Sequence, residues 1–151
     1  MMYLNSQVRI AGQGGAGLFI APLRLPASEE GGPLQSGVDI ALLSPDRCVT
    51  YLARQVLPGF MERLADFLRV AATAEEGSDA PGPLEDRLGG IRIDIVPLDG
   101  MWVEIEISIA ENPSDDLLEF DGLNFETSRA SLLMAARAAE LVRAIRNESQ
   151  G

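Results

Sequence analysis

The sequence predicts an α+β fold: a mainly antiparallel β-sheet with two helices, at about 60–72 and 128–146, packed on one face. Three patterns carry that prediction. Ile91, Ile93 and Ile95 alternate with Arg92 and Asp94, and Val103, Ile105, Ile107 and Ile109 alternate with Glu104, Glu106 and Ser108. This is the period of strands with one buried and one wet face. Phe60, Leu64, Phe67, Leu68 and Ala71 fall on one helical face after the Pro58-Gly59 turn. Ala130, Leu133, Met134, Ala138, Leu141 and Ile145 form a second helical stripe, with Thr127 or Ser128 placed to cap its start. A chain of 151 residues, 46% of them apolar, fits one domain over 1–151.

The first strand is read at 3–11, with Leu4, Val8 and Ile10 pointing inward. After the glycine cluster at 12–17 a second strand runs through Leu18-Phe19-Ile20-Ala21 toward Pro22 and Pro26. A loop over 27–36 leads to a third strand at 37–43, stopped near Ser44-Pro45-Asp46. Residues 47–56 form the fourth strand, rich in Val, Thr and Tyr. Residues 73–86 read as a flexible acidic loop. In the hairpin at 91–109, Asp99-Gly100 has the composition of a two-residue turn, but that loop would set Ile95 against Glu104. Taking Leu98-Asp99-Gly100 as the loop restores parity. Ile95 then faces Val103, Ile93 faces Ile105, Arg92 faces Glu106 and Asp94 faces Glu104, with Gly100 left-handed. Leu118 and Phe120 alternate in one phase and Leu123 and Phe125 in the other, which predicts a bulge or turn at Asp121-Gly122. Arg143 and Arg146 suit the C-terminal end of the last helix, and 147–151 is expected to fray. The two blocks of strands, each followed by a helix, resemble one another in order.

Composition excludes whole classes of chemistry. The chain has no His, and all 12 basic residues are Arg. A Ser-His-Asp triad, a His-dependent zinc site, a Lys Schiff base and a P-loop lysine are therefore all ruled out. Cys48 is the single cysteine, so the chain can form no internal disulfide. The net charge of −11 is unevenly spread: residues 1–74 are neutral, 75–126 carry −13, and 127–151 carry +2. An acidic field repels a phosphate backbone and attracts basic proteins, so no nucleic acid is expected as a partner. Ile10 to Leu23 is uncharged but too short and too rich in Gly and Pro to span a bilayer, and no signal peptide is evident. The cytoplasm is the expected location.

Gly12-Gln13-Gly14-Gly15-Ala16-Gly17 satisfies the dinucleotide pattern G-x-G-x-x-G. That pattern works only where a helix begins inside it, and here Pro22 arrives about one helical turn later. A glycine turn between antiparallel strands is the expected structure. Asp115, Asp116 and the acids after them do not match the spacing of a calcium loop. Asp94, Glu104 and Glu106 share the wet face of the hairpin with Trp102. A close carboxylate pair could serve acid–base chemistry or hold a cation in a cleft. On an open face the same residues make an acidic surface with an aromatic anchor, extended by Asp115, Asp116, Glu119 and Asp121. No cofactor site is expected.

Residues 59–145 resemble small bacterial uncharacterised and immunity-type proteins of the WapI-inhibitor kind. The resemblance lies in the order of elements. A helix at 60–72 and a hairpin are followed by Leu123-Asn124-Phe125-Glu126-Thr127, which runs into a helix headed by Ser128 and Leu132-Leu133. It implies a cytosolic, antitoxin-like binder without a cofactor. The expected function is non-enzymatic binding of a basic protein, with self-association left open. The alternatives are a structural or scaffold domain and a small carboxylate-dependent hydrolase.

Overall fold

The computed structural model describes residues 7–25, 35–74, 82–113 and 119–150. Two blocks follow the same order. Strands β1 (Val8–Ala11), β2 (Gly17–Leu25), β3 (Gln35–Leu43) and β4 (Cys48–Gln55) lead into helix α1 (Phe60–Thr73). Strands β5 (Leu84–Asp86), β6 (Ile91–Pro97), β7 (Trp102–Ala110) and β8 (Phe120–Ser128) lead into helix α2 (Arg129–Gln150). Each block makes its own four-stranded antiparallel sheet, in orders β1-β2-β3-β4 and β5-β6-β7-β8. The fold is α+β, as expected, but it has two sheets where one was expected. A further strand, β5, occupies the end of the stretch read as a loop. Periodicity reports which face of a strand is buried. It carries no record of which strand pairs with which.

Alternation sets the core. Val8, Ile10, Leu18, Ile20, Val38, Ile40 and Leu42 line the inner face of sheet 1, and the Ile rows of β6 and β7 with Phe125 line that of sheet 2. Leu4 lies outside the described residues. Both inner faces and both helices share one continuous core. Fully burying each of these side chains contributes about 1.5–3 kcal/mol. β8 crosses one end of sheet 1: Thr127 Oγ1 donates to the Ala11 carbonyl at 2.7 Å, while Asp121 meets Tyr51 of β4 and Arg47 just before that strand. Gly12 sits where this crossing is tightest, because a Cβ there would lie 2.2 Å from the Phe125 ring. The glycine cluster is thus a turn with one 3₁₀ segment, Gln13–Gly15, joining antiparallel β1 and β2.

The hairpin keeps its parity but not its register. Pro97 pairs with Val103, Ile95 with Ile105, Ile93 with Ile107, Asp94 with Glu106 and Arg92 with Ser108. The Leu98 N–H bonds to the Trp102 carbonyl at 3.0 Å, so the loop is Asp99-Gly100-Met101, one residue later than expected. Gly100 is left-handed (φ 70°), as the three-residue loop required. Moving the loop by one shifts the pairing by two, and a shift of two leaves every side chain on the same face. β8 pairs with β7 without interruption from Phe120 to Ser128, so the bulge expected at Asp121-Gly122 is absent. Phe120 simply points out, 53% exposed. The bulge lies instead between β3 and β4, where Asp39 accepts the Ala53 N–H at 2.7 Å and Ala53 takes φ 53°.

α1 buries Phe60, Leu64, Phe67, Leu68 and Ala71, as its pattern predicts. α2 is turned the other way. It buries Leu132, Ala135, Ala136 and Ala139, and leaves Met134 71% and Leu141 59% exposed. The small residues face inward because α2 packs against α1 and β1, and alanines allow that close approach. Ser128 is the cap: its Oγ accepts the Ser131 N–H at 3.1 Å. Arg129 donates to the Ala74 carbonyl and Arg69 pairs with Glu140, binding the two helices side by side. The α2 backbone continues past Asn147 to Gln150, where fraying was expected. No described helix is long and apolar enough to cross a membrane.

Candidate protein-binding face

The outer face of sheet 2 gathers acids because every second residue of β6, β7 and β8 points there. Asp94 pairs with Glu106 across β6 and β7, and Glu104 pairs with Glu126 across β7 and β8. These are two like-charge cross-strand pairs in adjacent rows of one sheet, an arrangement that destabilises the pairing strands. Glu85 at the β5 edge is compensated by Arg92 at 3.3 Å. Trp102 begins β7, 42% exposed, beside an open hollow lined by Pro97, Leu98, Asp99 and Glu126. Val96, 45% exposed, lies between Glu104 and the hairpin edge.

Of the residues singled out from the sequence, Trp102, Asp94, Glu104 and Glu106 come together on this face. Asp115 and Asp116 lie outside the described residues. Glu119 lies just before β8 and Asp121 at its far end, and Asp121 does not belong to the patch at all. It pairs with Ile109 and shares the inward parity of Leu123, Phe125 and Thr127. Its carboxylate accepts the Tyr51 hydroxyl and lies 3.3 Å from Arg47. Tyr51 lies in β4 and Arg47 just before it, so Asp121 fastens sheet 2 to sheet 1. Glu126 and Asp99 belong to the face and were missed. The signal for Glu126 was its position two after Asn124 in the phase opposite to Phe125.

The junction around Asp121 is electrostatically tense. Burial, the hydrogen bond to Asp121 and that group's negative charge raise the Tyr51 phenol above its ordinary value. Repulsion from Asp121 and then Glu119 raises the carboxyl of exposed Glu111. Arg54 lies 4.9 Å from the Tyr51 ring centroid and donates to the carbonyls of Ala110 (2.9 Å) and Gly89 (3.2 Å). Burial lowers its pKa. The unfolded Tyr51 phenol ionises near 10 while the folded one holds its proton, so stability is complete below that pH and falls as the pH rises above it. Denaturation between pH 8 and about 11 should show this loss in the wild type and a flatter profile in Tyr51→Phe. Equal slopes would show that the phenol is not linked to folding.

Among the described residues, no group of three or more His, Cys, Asp or Glu is placed to hold a metal ion. No protein-family model matches the chain, and no curated protein matches it at a significant level. Among solved structures it is similar to one described as the plant transcriptional regulator PBF-2. The identity is 14% over 90% of this chain and 79% of that one, with a TM-score of 0.43. A likeness at that level carries no argument about function.

Proposed function

We propose that this chain is a non-enzymatic protein-binding domain that docks a basic protein on the outer face of sheet 2. The observation that carries the reading is the pair of like-charge pairs, Asp94 with Glu106 and Glu104 with Glu126, beside exposed Trp102. In the isolated chain these acids repel one another, and a basic partner would relieve that repulsion. Trp102 offers an aromatic anchor at the edge of the charged field, the combination that concentrates binding energy at interfaces. Hydrolysis by paired carboxylates would need them to converge in a cleft. Here they stand on an open sheet face, which supports binding. An immunity-type role is the form of this reading in which the basic partner is a toxin.

The test compares the wild type with a variant carrying Asp94→Asn, Glu104→Gln, Glu106→Gln and Trp102→Ala in capture from native lysate. The wild type should retain a stoichiometric basic protein, released as salt rises from about 0.1 to about 0.5 M. The variant should lose it. Trp102→Ala alone should weaken the complex by at least about tenfold. The charge-neutralised chain should itself be more stable, by roughly 0.2–1 kcal/mol for each repelling pair removed. Recovery of the same proteins by both chains, or of none at low salt, would overturn the proposal.

A further inference from the structure

Sheet 1 departs from the pattern that sheet 2 follows. An antiparallel sheet with one face on the core normally turns a polar face to water. Sheet 2 does so with its carboxylates. The outer face of sheet 1 instead presents Phe19, Ala21, Ala41, Leu43 and Leu52, the last 74% exposed, around a shallow hollow. Its charges, among the residues with described side chains, are Arg9 and Asp39. The Arg9 guanidinium lies 4.5 Å over the Phe19 ring. Gln7 and Thr50 are the uncharged polar residues around the hollow, and a largely apolar surface of this kind marks a contact site.

We propose that this face pairs with the same face of a second copy of the chain. Charge selects that occupant. A molecule of net charge −11 repels its own copies over its acidic surfaces, and the neutral first block is where that repulsion is weakest. The face is also self-complementary. Arg9 pairs with Phe19 in one row, and Asp39 pairs with Ala21 in the next, on the strand beyond β2. A two-fold axis bisecting the line from Arg9 to Asp39 therefore passes over β2 between Phe19 and Ala21. It sets each Arg9 against the partner's Asp39 and brings the two Phe19 rings together near the axis. Interfaces with such an axis are isologous, the commonest kind in homo-oligomers. Four strands about 4.8 Å apart and about 25 Å long offer roughly 500 Å² from each copy. The total, about 1,000 Å², is at the lower limit for a specific interface, so the dimer should form and dissociate with concentration.

Sedimentation equilibrium of the full chain, from about 1 μM to about 1 mM, tests this in the range where a weak dimer changes population. The mass should rise from 16.2 kDa toward twice that value. Leu52→Arg should raise the dissociation constant at least about tenfold. The Leu52 side chain projects into water, so the melting temperature should be unchanged, which separates lost pairing from lost folding. Arg9→Glu should act in the same direction, because it sets a carboxylate against the partner's Asp39. Met134→Arg, on the exposed side of α2, should leave the dimer intact. A mass of 16.2 kDa throughout overturns the proposal, as does a dimer that ignores Leu52→Arg or that Met134→Arg disrupts.

Discussion

Replacing Asp86 with alanine should destabilise the chain by about 2–5 kcal/mol, chiefly because two backbone N–H groups lose their acceptor. The Asp86 side chain is fully buried. It accepts the Leu57 N–H at 3.0 Å, the Gly89 N–H at 2.8 Å and the Arg63 guanidinium at 2.9 Å. One carboxylate thereby joins the end of β5, the turn after it, the entry to α1 and the first turns of that helix. Alanine would leave two backbone N–H groups without their acceptor and remove the counter-charge of Arg63. For a chain of this size each kcal/mol lowers the melting temperature by roughly 2–4 °C, so a fall on the order of 10 °C is expected in thermal denaturation. Asp86→Asn keeps the shape and one acceptor oxygen, and should lose about half as much. Arg63→Ala should cost less than Asp86→Ala, because the two backbone donors keep their partner. A loss below about 1 kcal/mol for Asp86→Ala would show that water replaces the carboxylate and that the joint is not held this way.

Gly12→Val should cost about 3 kcal/mol, and Gly12→Ala somewhat less, by overpacking the contact between the sheets. The backbone at Gly12 (φ −108°) is open to any residue, so the effect is one of space alone. Its Cβ would meet the Phe125 ring at 2.2 Å and the Glu126 carbonyl at 3.0 Å. Glu126 O belongs to the β8 backbone, which cannot move aside without disturbing its pairing with β7. Gly14 makes the opposite case. It has φ 69° but nothing within 4 Å of a Cβ, so Gly14→Ala should cost only about 1 kcal/mol of backbone strain. Urea denaturation of the three variants gives the ranking directly. Phe125→Leu combined with Gly12→Ala should recover part of the loss, since the ring supplies the closest clash. If Gly14→Ala proves the more damaging, the cluster is governed by turn conformation and not by the approach of β8.

These two sites show what the sequence could and could not disclose. Asp86 stood in a stretch that reads as an exposed acidic loop, because Gly, Ser, Pro and acids surround it. Its burial depends on Leu57 and Arg63, 29 and 23 residues away, and no local pattern records that meeting. The glycine cluster was legible as a turn, since Pro22 forbids the helix that a phosphate cradle requires. That Gly12 in particular touches Phe125 follows only once β8 lies across sheet 1. The acidic face was half legible. Asp94, Glu104, Glu106 and Trp102 share a face in every register of the parity that buries the isoleucines. Asp121 was assigned to it wrongly, because Leu118 and Phe120 suggested the opposite phase for the start of β8.

Residue order alone was enough for the α+β class, a helix at about 60–72, the strands of the hairpin with their inward isoleucines, and the left-handed Gly100. All of these rest on the direction of successive side chains or on one residue's allowed backbone, and both are local properties. The tertiary structure alone decided the division into two sheets, the pairing of Ile95 with Ile105, the inward turn of the α2 alanines and the role of Asp121 as a clasp. Each of these depends on what lies opposite. A shift of two residues preserves every face, so alternation cannot select between registers. A helix with apolar residues on two sides shows its larger stripe to the eye, yet it buries the side that lets its neighbour come closest, and that neighbour, α1, is more than fifty residues away in the chain.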